Sequence, residues 1–444
     1  MSGQTVDVST VIDEGRLRPF HWLVLGLCAF VTVIDGYDLL AMGLVVPTLS
    51  QQWQLDPQAF SPALSAAVVG VLIGSAIAGR LGDLIGRRWT LVIMLVISAV
   101  FMTLTALADT MDELIVYRFF TGLGAGGSIP VAIAYTAEYM PAARRNTLVA
   151  VMYSGAPLGS VLAGGIGPTV IGRYDWHGVF WVGGVLTGLA ALVLALFLPE
   201  SIRYLVVKRA PRERIQRLLA RIDPRPALAN TAEFVVREAS AHQGPWRELL
   251  GPGKRAITCT LWAVFVVTQF VIFYIGLWMP TVLVRSGLAL ESAMYVVAIY
   301  NLGGALGGPV CGWLSDRYSA QRVLAVVYPI AGFMILTVIA ALASPVLPGV
   351  ALLAGVVVIG CSICLGALSA SLYPTGIRST GVGFALGIGR LGSIVAPIVG
   401  GWAVASGRDD VFFGIAALGS LICTAGVVLL GRFSGSTDKR YRSA

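Results

Sequence analysis

Apolar residues in this chain fall in long unbroken runs separated by short charged connectors, not in the period-two alternation of half-buried strands. Twelve runs are long enough to cross about 30 Å of hydrocarbon. They cover residues 20–49, 59–78, 90–108, 114–139, 147–172 and 178–198, then 255–285, 291–314, 322–342, 346–371, 379–406 and 411–431. Each run predicts a helix, because a backbone facing lipid must satisfy its hydrogen bonds within its own segment. The polar stretch from Pro199 to Lys254, rich in Arg and Pro, separates six runs from six. The pattern therefore predicts an all-α polytopic membrane protein with twelve transmembrane helices. Its expected parts are an N-terminal segment 1–19, a six-helix bundle 20–198, a central loop 199–254, a second six-helix bundle 255–431 and a tail 432–444.

Composition closes off the soluble alternatives. Of 444 residues, 57% are hydrophobic and only 12% charged, against about 25% charged in an ordinary soluble domain. Mean hydropathy is +0.82. A soluble enzyme, a secreted disulfide scaffold and a disordered chain are all excluded. The net charge of +8 points to membrane topology and away from nucleic acid, because of where the charge sits. Of 31 Lys and Arg, 26 fall in the termini and the even-numbered connections. Arg173, Arg285 and Arg408 fall in odd-numbered ones, and Arg118 and Arg390 fall inside helices. This asymmetry places both termini in the cytoplasm. Asp7, Asp13 and Glu14 stand where a signal peptide would be basic, so none is expected. All six cysteines lie in apolar runs. The Cys361–Cys364 pair has no His nearby or second pair, so packing is its expected role, with no metal or cofactor.

An internal repeat relates the halves at a constant offset of 233 residues. Gly79 and Asp83 match Gly312 and Asp316; Pro141, Arg145, Thr147, Gly159, Ser160 and Gly167 match Pro374, Arg378, Thr380, Gly392, Ser393 and Gly400. Six crossings preserve direction, so the repeat is parallel. Parallel six-helix halves with a site near the midplane are a transporter architecture.

Ionisable groups at membrane depth are functional candidates. Asp35 and Asp38 share one helix face, about 22 and 27 Å from the start of their helix at Phe20. Mutual repulsion and desolvation let one of them hold a proton. Two roles stand open: proton carriage, or pairing with Arg118 to tie the first helix to the fourth. Arg390 lies about 17 Å into the eleventh helix, and its counterpart in the first half is Pro157. It fits a substrate carboxylate bidentately, or it pairs with Asp35 or Asp38. Gln269, Phe273, Tyr274 and Trp278 on the seventh helix, with Tyr37, Tyr300, Asn301 and Phe384, suit either a flat, partly apolar ligand or ordinary packing. Asp83, Arg87, Arg88, Glu138, Arg144 and Arg145 can form cytoplasmic gating pairs, mirrored by Asp316, Arg317 and Arg378. Their charge also serves orientation. The Gly122–Gly127 run follows no strand, so it reads as close helix packing and not as a dinucleotide site. No catalytic or nucleotide-hydrolysis motif occurs, and no enzyme activity is expected.

GRLGDLIGRR, with Gly79, Asp83, Arg87 and Arg88, resembles the signature loop of the major facilitator superfamily, except that Leu84 replaces the basic residue after the aspartate. LPESIRYL, with Glu200, Ser201 and Arg203, resembles a mark of its sugar and metabolite branches. The DGYD of Asp35 to Asp38 and the spacings Arg118 to Glu138 and Arg378 to Arg390 are similar to the aromatic acid/proton symporters. The resemblance implies the major facilitator fold and import of an aromatic carboxylate such as a hydroxybenzoate, by alternating access, across a bacterial inner membrane. It implies proton coupling through Asp35, Asp38, Arg118 and Glu138, and substrate contact at Arg390. The expected partners are that substrate, protons and the lipid bilayer, with a monomer as the functional unit. A symporter for another organic anion or sugar acid is the alternative, and a drug/proton antiporter the more distant one.

Overall fold

The computed structural model describes residues 5–223, 233–235, 246–251, 254–373 and 377–442. Helices dominate: α1 (Val8–Asp13), α2 (Pro19–Trp53), α3 (Ser61–Ile85), α4 (Arg87–Thr105), α5 (Met111–Tyr139), α6 (Arg145–Tyr153), α7 (Gly155–Phe197), α8 (Ile202–Val207), α9 (Arg212–Ile222), α10 (Arg255–Arg285), α11 (Leu290–Tyr318), α12 (Ala320–Ala341), α13 (Leu347–Leu372), α14 (Arg378–Ala405) and α15 (Asp409–Arg442). Among the described residues, eleven spans have the length and hydropathy to cross a membrane. One of them, Thr147–Phe197, has 51 residues, or about 77 Å of helix, more than twice the hydrocarbon thickness. It breaks at Asp175, where φ is 59° and ψ −166°. Asp175 satisfies the turn with its own side chain, accepting the Trp176 N–H at 2.7 Å and a hydrogen bond from Gln52. The long span is two crossings, which restores twelve.

Local chemistry sets the helix ends. Thr110 caps α5 by accepting the Glu113 N–H at 3.3 Å, and the Glu113 carboxylate accepts the Asp109 N–H at 3.0 Å. With Asp112 also in the first turn, the acids face the positive end of the helix. Two features have no counterpart in the hydropathy pattern. The N-terminal segment forms α1 and a short strand β1 (Thr5–Asp7) that pairs in parallel with β2 (Glu233–Val235). The segment after residue 199 folds into α8 and the strongly amphipathic α9. Val8, Val11 and Ile12 of α1 share an apolar core with Ile215, Leu218, Leu219 and Ile222 of α9.

The chain condenses into two units. Unit 1 takes Met1–Tyr37, Val69–Gly159 and Phe180–Ser240; unit 2 takes Asp38–Val68, Ser160–Val179 and Ala241–Ala444. The division runs through α2, α3 and α7 as well as the segment 199–254. In unit 2, one end of α2 and α3 is joined to α10 and α14. A Cβ on Gly43 would lie 2.6 Å from the Leu277 carbonyl oxygen, and Ser65 donates to the Ile394 carbonyl at 3.1 Å.

The repeat is visible in how helices touch. In unit 1 a Cβ on Gly159 would sit 1.8 Å from the Val33 carbonyl oxygen; in unit 2 one on Gly392 would sit 1.9 Å from that of Val266. Both the glycine and the carbonyl are displaced by the same 233 positions. Gly70 against Phe119 and Gly303 against Leu352 repeat the relation, each at 2.1 Å. Helices meet backbone to backbone there because lipid offers no hydrophobic drive to join them, and close packing must supply it.

Gly159→Ala and Gly392→Ala should therefore each lower the thermal unfolding midpoint in detergent. Overpacking costs about 1–3 kcal/mol, more than the roughly 1 kcal/mol that Gly→Ala returns in a helix. Gly165→Ala, where a Cβ meets nothing within 4 Å, should be neutral or stabilising. Equal behaviour of all three would refute the crossing as the cause.

Candidate functional site

Three groups of charged side chains stand out among the described residues. The first is on α2, where Asp35 and Asp38 lie near the middle of a 35-residue helix. Asp38 is 6% exposed, Asp35 is half-buried, and both engage neighbouring groups. Asp35 belongs to unit 1, as does Arg118 on α5, which is only 2% exposed. The Arg118 guanidinium lies over the Phe180 ring, 5.7 Å from its centroid, a cation–π contact strengthened by exclusion of water. Tyr37 is buried, and a Cβ on Gly183 would come within 2.9 Å of its ring.

The second group is in unit 2. Arg390 is half-buried near the middle of α14 and has no ion pair or hydrogen bond among the described residues. One residue before it, α14 crosses α10 so closely that a Cβ on Gly389 would lie 3.4 Å from the Gln269 Cγ. Gln269 and Arg390 therefore stand at one level of adjoining helices, and Phe273 is half-buried one turn along α10. Tyr274 and Trp278 are fully buried, and their polar atoms are already used. The Tyr274 hydroxyl donates to the Phe412 carbonyl at 3.1 Å, and its ring stacks on Phe412 at 4.5 Å. The Trp278 indole donates to the Pro397 carbonyl at 3.0 Å. On α11, Tyr300 is buried, while Asn301 donates to its own helix at Val297. Phe384 is exposed and stacks on Trp262.

The third group gathers where α3, α4, α5 and α8 meet. Arg87 donates to Glu138 at 3.2 Å and pairs with Asp83 at 3.5 Å. The other Glu138 oxygen accepts the Ser201 hydroxyl. That same hydroxyl accepts the Tyr204 N–H, so it caps α8 as well. Glu200 accepts the backbone N–H of Arg88 at 3.1 Å and of Ser201 at 2.8 Å. A Cβ on Gly86, whose φ is +97°, would collide with that carboxylate at 2.5 Å. Burial pushes the Glu200 carboxyl above the usual range, against the opposing pull of these N–H donors. Arg88 also donates to the Ala195 carbonyl. Arg145 is held by Asp13 of the N-terminal segment, and Arg144 is exposed. Arg317 lies against Trp313 and Tyr318; the side chains of Asp316 and Arg378 lie outside the described residues. The pairing of Asp13 with Arg145 and the double use of Ser201 went unforeseen. The only signal for either was an isolated acid and a serine ahead of an apolar turn.

Charged side chains sequestered within membrane-length helices mark an integral-membrane protein with functional groups at depth. The Major Facilitator Superfamily model matches residues 28–397, and the chain belongs to that superfamily. It is 35% identical over 407 residues to the 4-hydroxybenzoate transporter PcaK of Pseudomonas putida, covering 91% of this chain and 90% of that one. It is 34% identical over 404 residues to a gallate transporter of the same organism, with 90% of each covered. Among solved structures, it is similar to the xylose transporter XylE from E. coli, with a TM-score of 0.70 at 16% identity over 92% of this chain and 97% of that one. That likeness speaks for the fold alone.

Because its folded pKa is raised, Glu200 contributes stability that is fully present at low pH and lost as pH rises. The loss begins at the ordinary glutamate range, where the unfolded chain ionises first, and ends at the raised folded value. Glu200→Gln keeps an acceptor for both N–H groups, so its midpoint should overtake that of the wild type increasingly across that window. Parallel pH profiles for the two proteins would contradict this.

Proposed function

We propose that the protein is a proton-coupled symporter that imports an aromatic carboxylate, such as a hydroxybenzoate, by alternating access. The observation that carries the substrate class is Arg390, a cation at mid-helix with no acidic partner among the described residues. A carboxylate meets its fork bidentately in a water-poor site. Gln269 supplies an amide level with Arg390, Phe273 a ring face one turn along α10, and the half-buried Asn301 donates to Val297 of its own helix. The relatives, transporters of 4-hydroxybenzoate and of gallate, support an aromatic acid.

Asp35 and Asp38 are the proposed proton carriers, with Arg118, in the same unit as Asp35, as the cation whose hold on Asp35 weakens when that carboxylate is protonated. Glu138 responds through Arg87, in a network of pairs that is made in one state and broken in the other. The excess of Lys and Arg at that end of the helices supports its placement in the cytoplasm of a bacterium, with both termini there. The seam of Gly43 and Ser65 is then an outer closure.

Uptake of labelled 4-hydroxybenzoate, protocatechuate, benzoate and gentisate into proteoliposomes, with and without an inward proton gradient, tests the whole reading. Gradient-driven accumulation of at least one is expected. Accumulation of a non-aromatic anion alone would overturn the substrate class, and accumulation indifferent to the gradient would overturn the coupling. Arg390→Ala should abolish uptake while the protein stays folded in the membrane; normal uptake by this variant would remove Arg390 from the site. Asp38→Asn should lose gradient-driven accumulation by at least about tenfold, the effect of some 1.4 kcal/mol, yet still exchange substrate across the bilayer.

A further inference from the structure

Exposed cations and exposed apolar side chains lie together at the ends of α3 and α8 in unit 1. Arg80 is exposed on α3, one helical turn before Leu84, and Leu84 is 66% exposed. The Tyr204 hydroxyl, on α8, donates to the Leu84 carbonyl at 3.1 Å. The Lys208 ammonium lies 5.8 Å from the centroid of the Tyr204 ring. Arg80 and Lys208 thus approach Leu84 from two different elements. Val207, next to Lys208, is 70% exposed.

The neighbouring charges favour an anion. The acid beside Leu84 is Asp83, which Arg87 pairs. Beyond Lys208 come the exposed Arg209, Arg212, Arg214, Arg217 and Arg221, with Glu213 as the one acid among them. The apolar face of α9 is buried in the unit's core, so its cations face outward. The preceding membrane span ends at Phe197, five residues before α8 begins, and the span that carries Arg80 and Leu84 ends at Ile85. Long cationic side chains flanking exposed apolar ones suit the boundary between acyl chains and headgroups, where stem and charge are each in their preferred medium.

We propose that this surface binds an anionic phospholipid of the adjoining leaflet. Its phosphate is held between Arg80 and Lys208, and its acyl chains lie against Leu84 and Val207. Leu84 gives the acyl chain an apolar contact, and Lys208, just past the end of α8, supplies a charge beside it. Each cation near an anionic surface contributes about 1 kcal/mol, so losing both weakens binding roughly 30-fold.

The test uses the purified full-length protein with phosphatidylglycerol or phosphatidylcholine added. Bound lipid is counted by native mass spectrometry, and the thermal unfolding midpoint is followed in parallel. Phosphatidylglycerol should be retained in preference to phosphatidylcholine and should raise the midpoint. Arg80→Gln with Lys208→Gln should cut that retention roughly 30-fold, while Arg80→Lys with Lys208→Arg should keep it. Arg173→Gln, which removes an exposed cation elsewhere, should change nothing. Equal retention of the two lipids, full retention by the double glutamine variant, or loss in the charge-preserving variant would each overturn the proposal. So would the same midpoint rise with inorganic phosphate, which would make this a free-anion site.

Discussion

Hydrocarbon offers a peptide group no hydrogen-bond partner, and nearly everything in this structure follows from that. The backbone must coil on itself wherever it crosses, so the crossings are helices. The same solvent removes the usual reason for helices to associate, since lipid tails are as apolar as leucine. What remains is contact at close range, supplied by glycines whose missing Cβ lets one backbone touch another. Gly159 on Val33 and Gly392 on Val266 are one such contact occurring twice, once in each unit. The repeat therefore preserves the points of helix contact, while the side chains between them are free to differ.

That freedom is where function enters. Arg390 has proline at its equivalent position in the first half, so symmetry fixes the α14 crossing but not what it carries. Several polar groups in the interior meet partners that offset the cost of their burial. Tyr274 and Trp278 donate to backbone carbonyls, Arg118 rests on a ring face, and Ser201 both caps a helix and serves a carboxylate. Beside these, the mid-helix guanidinium of Arg390 stands apart in having no acidic partner among the described residues. The network around Glu138 and Glu200 is of another kind. It links three helices and the segment after residue 199.

Twelve crossings, their parallel repeat and the intramembrane charges were legible in the sequence because each rests on a strong local rule: hydropathy over a membrane's thickness, a fixed register, and the cost of burying charge. The glycine-rich run of α5 was legible as packing for the same reason. The central segment and the N-terminus were not. Their helices and paired strands are short, and α1 contributes only Val8, Val11 and Ile12 to a core completed by α9 some two hundred residues away. No local pattern announces a core assembled from two such distant pieces.

The sequence by itself determined that the chain spans a membrane, how many times, and which charges lie at depth, since the solvent imposes those conditions on every segment separately. Only the tertiary structure decided which of those polar groups are already satisfied. The aromatic stripe on α10 reads as one surface in sequence, yet Tyr274 and Trp278 turn into the bundle while Gln269 stands level with Arg390. Helical spacing fixes which side chains share a face. The partner across the gap is set by how neighbouring helices cross, and that depends on contacts no single segment contains.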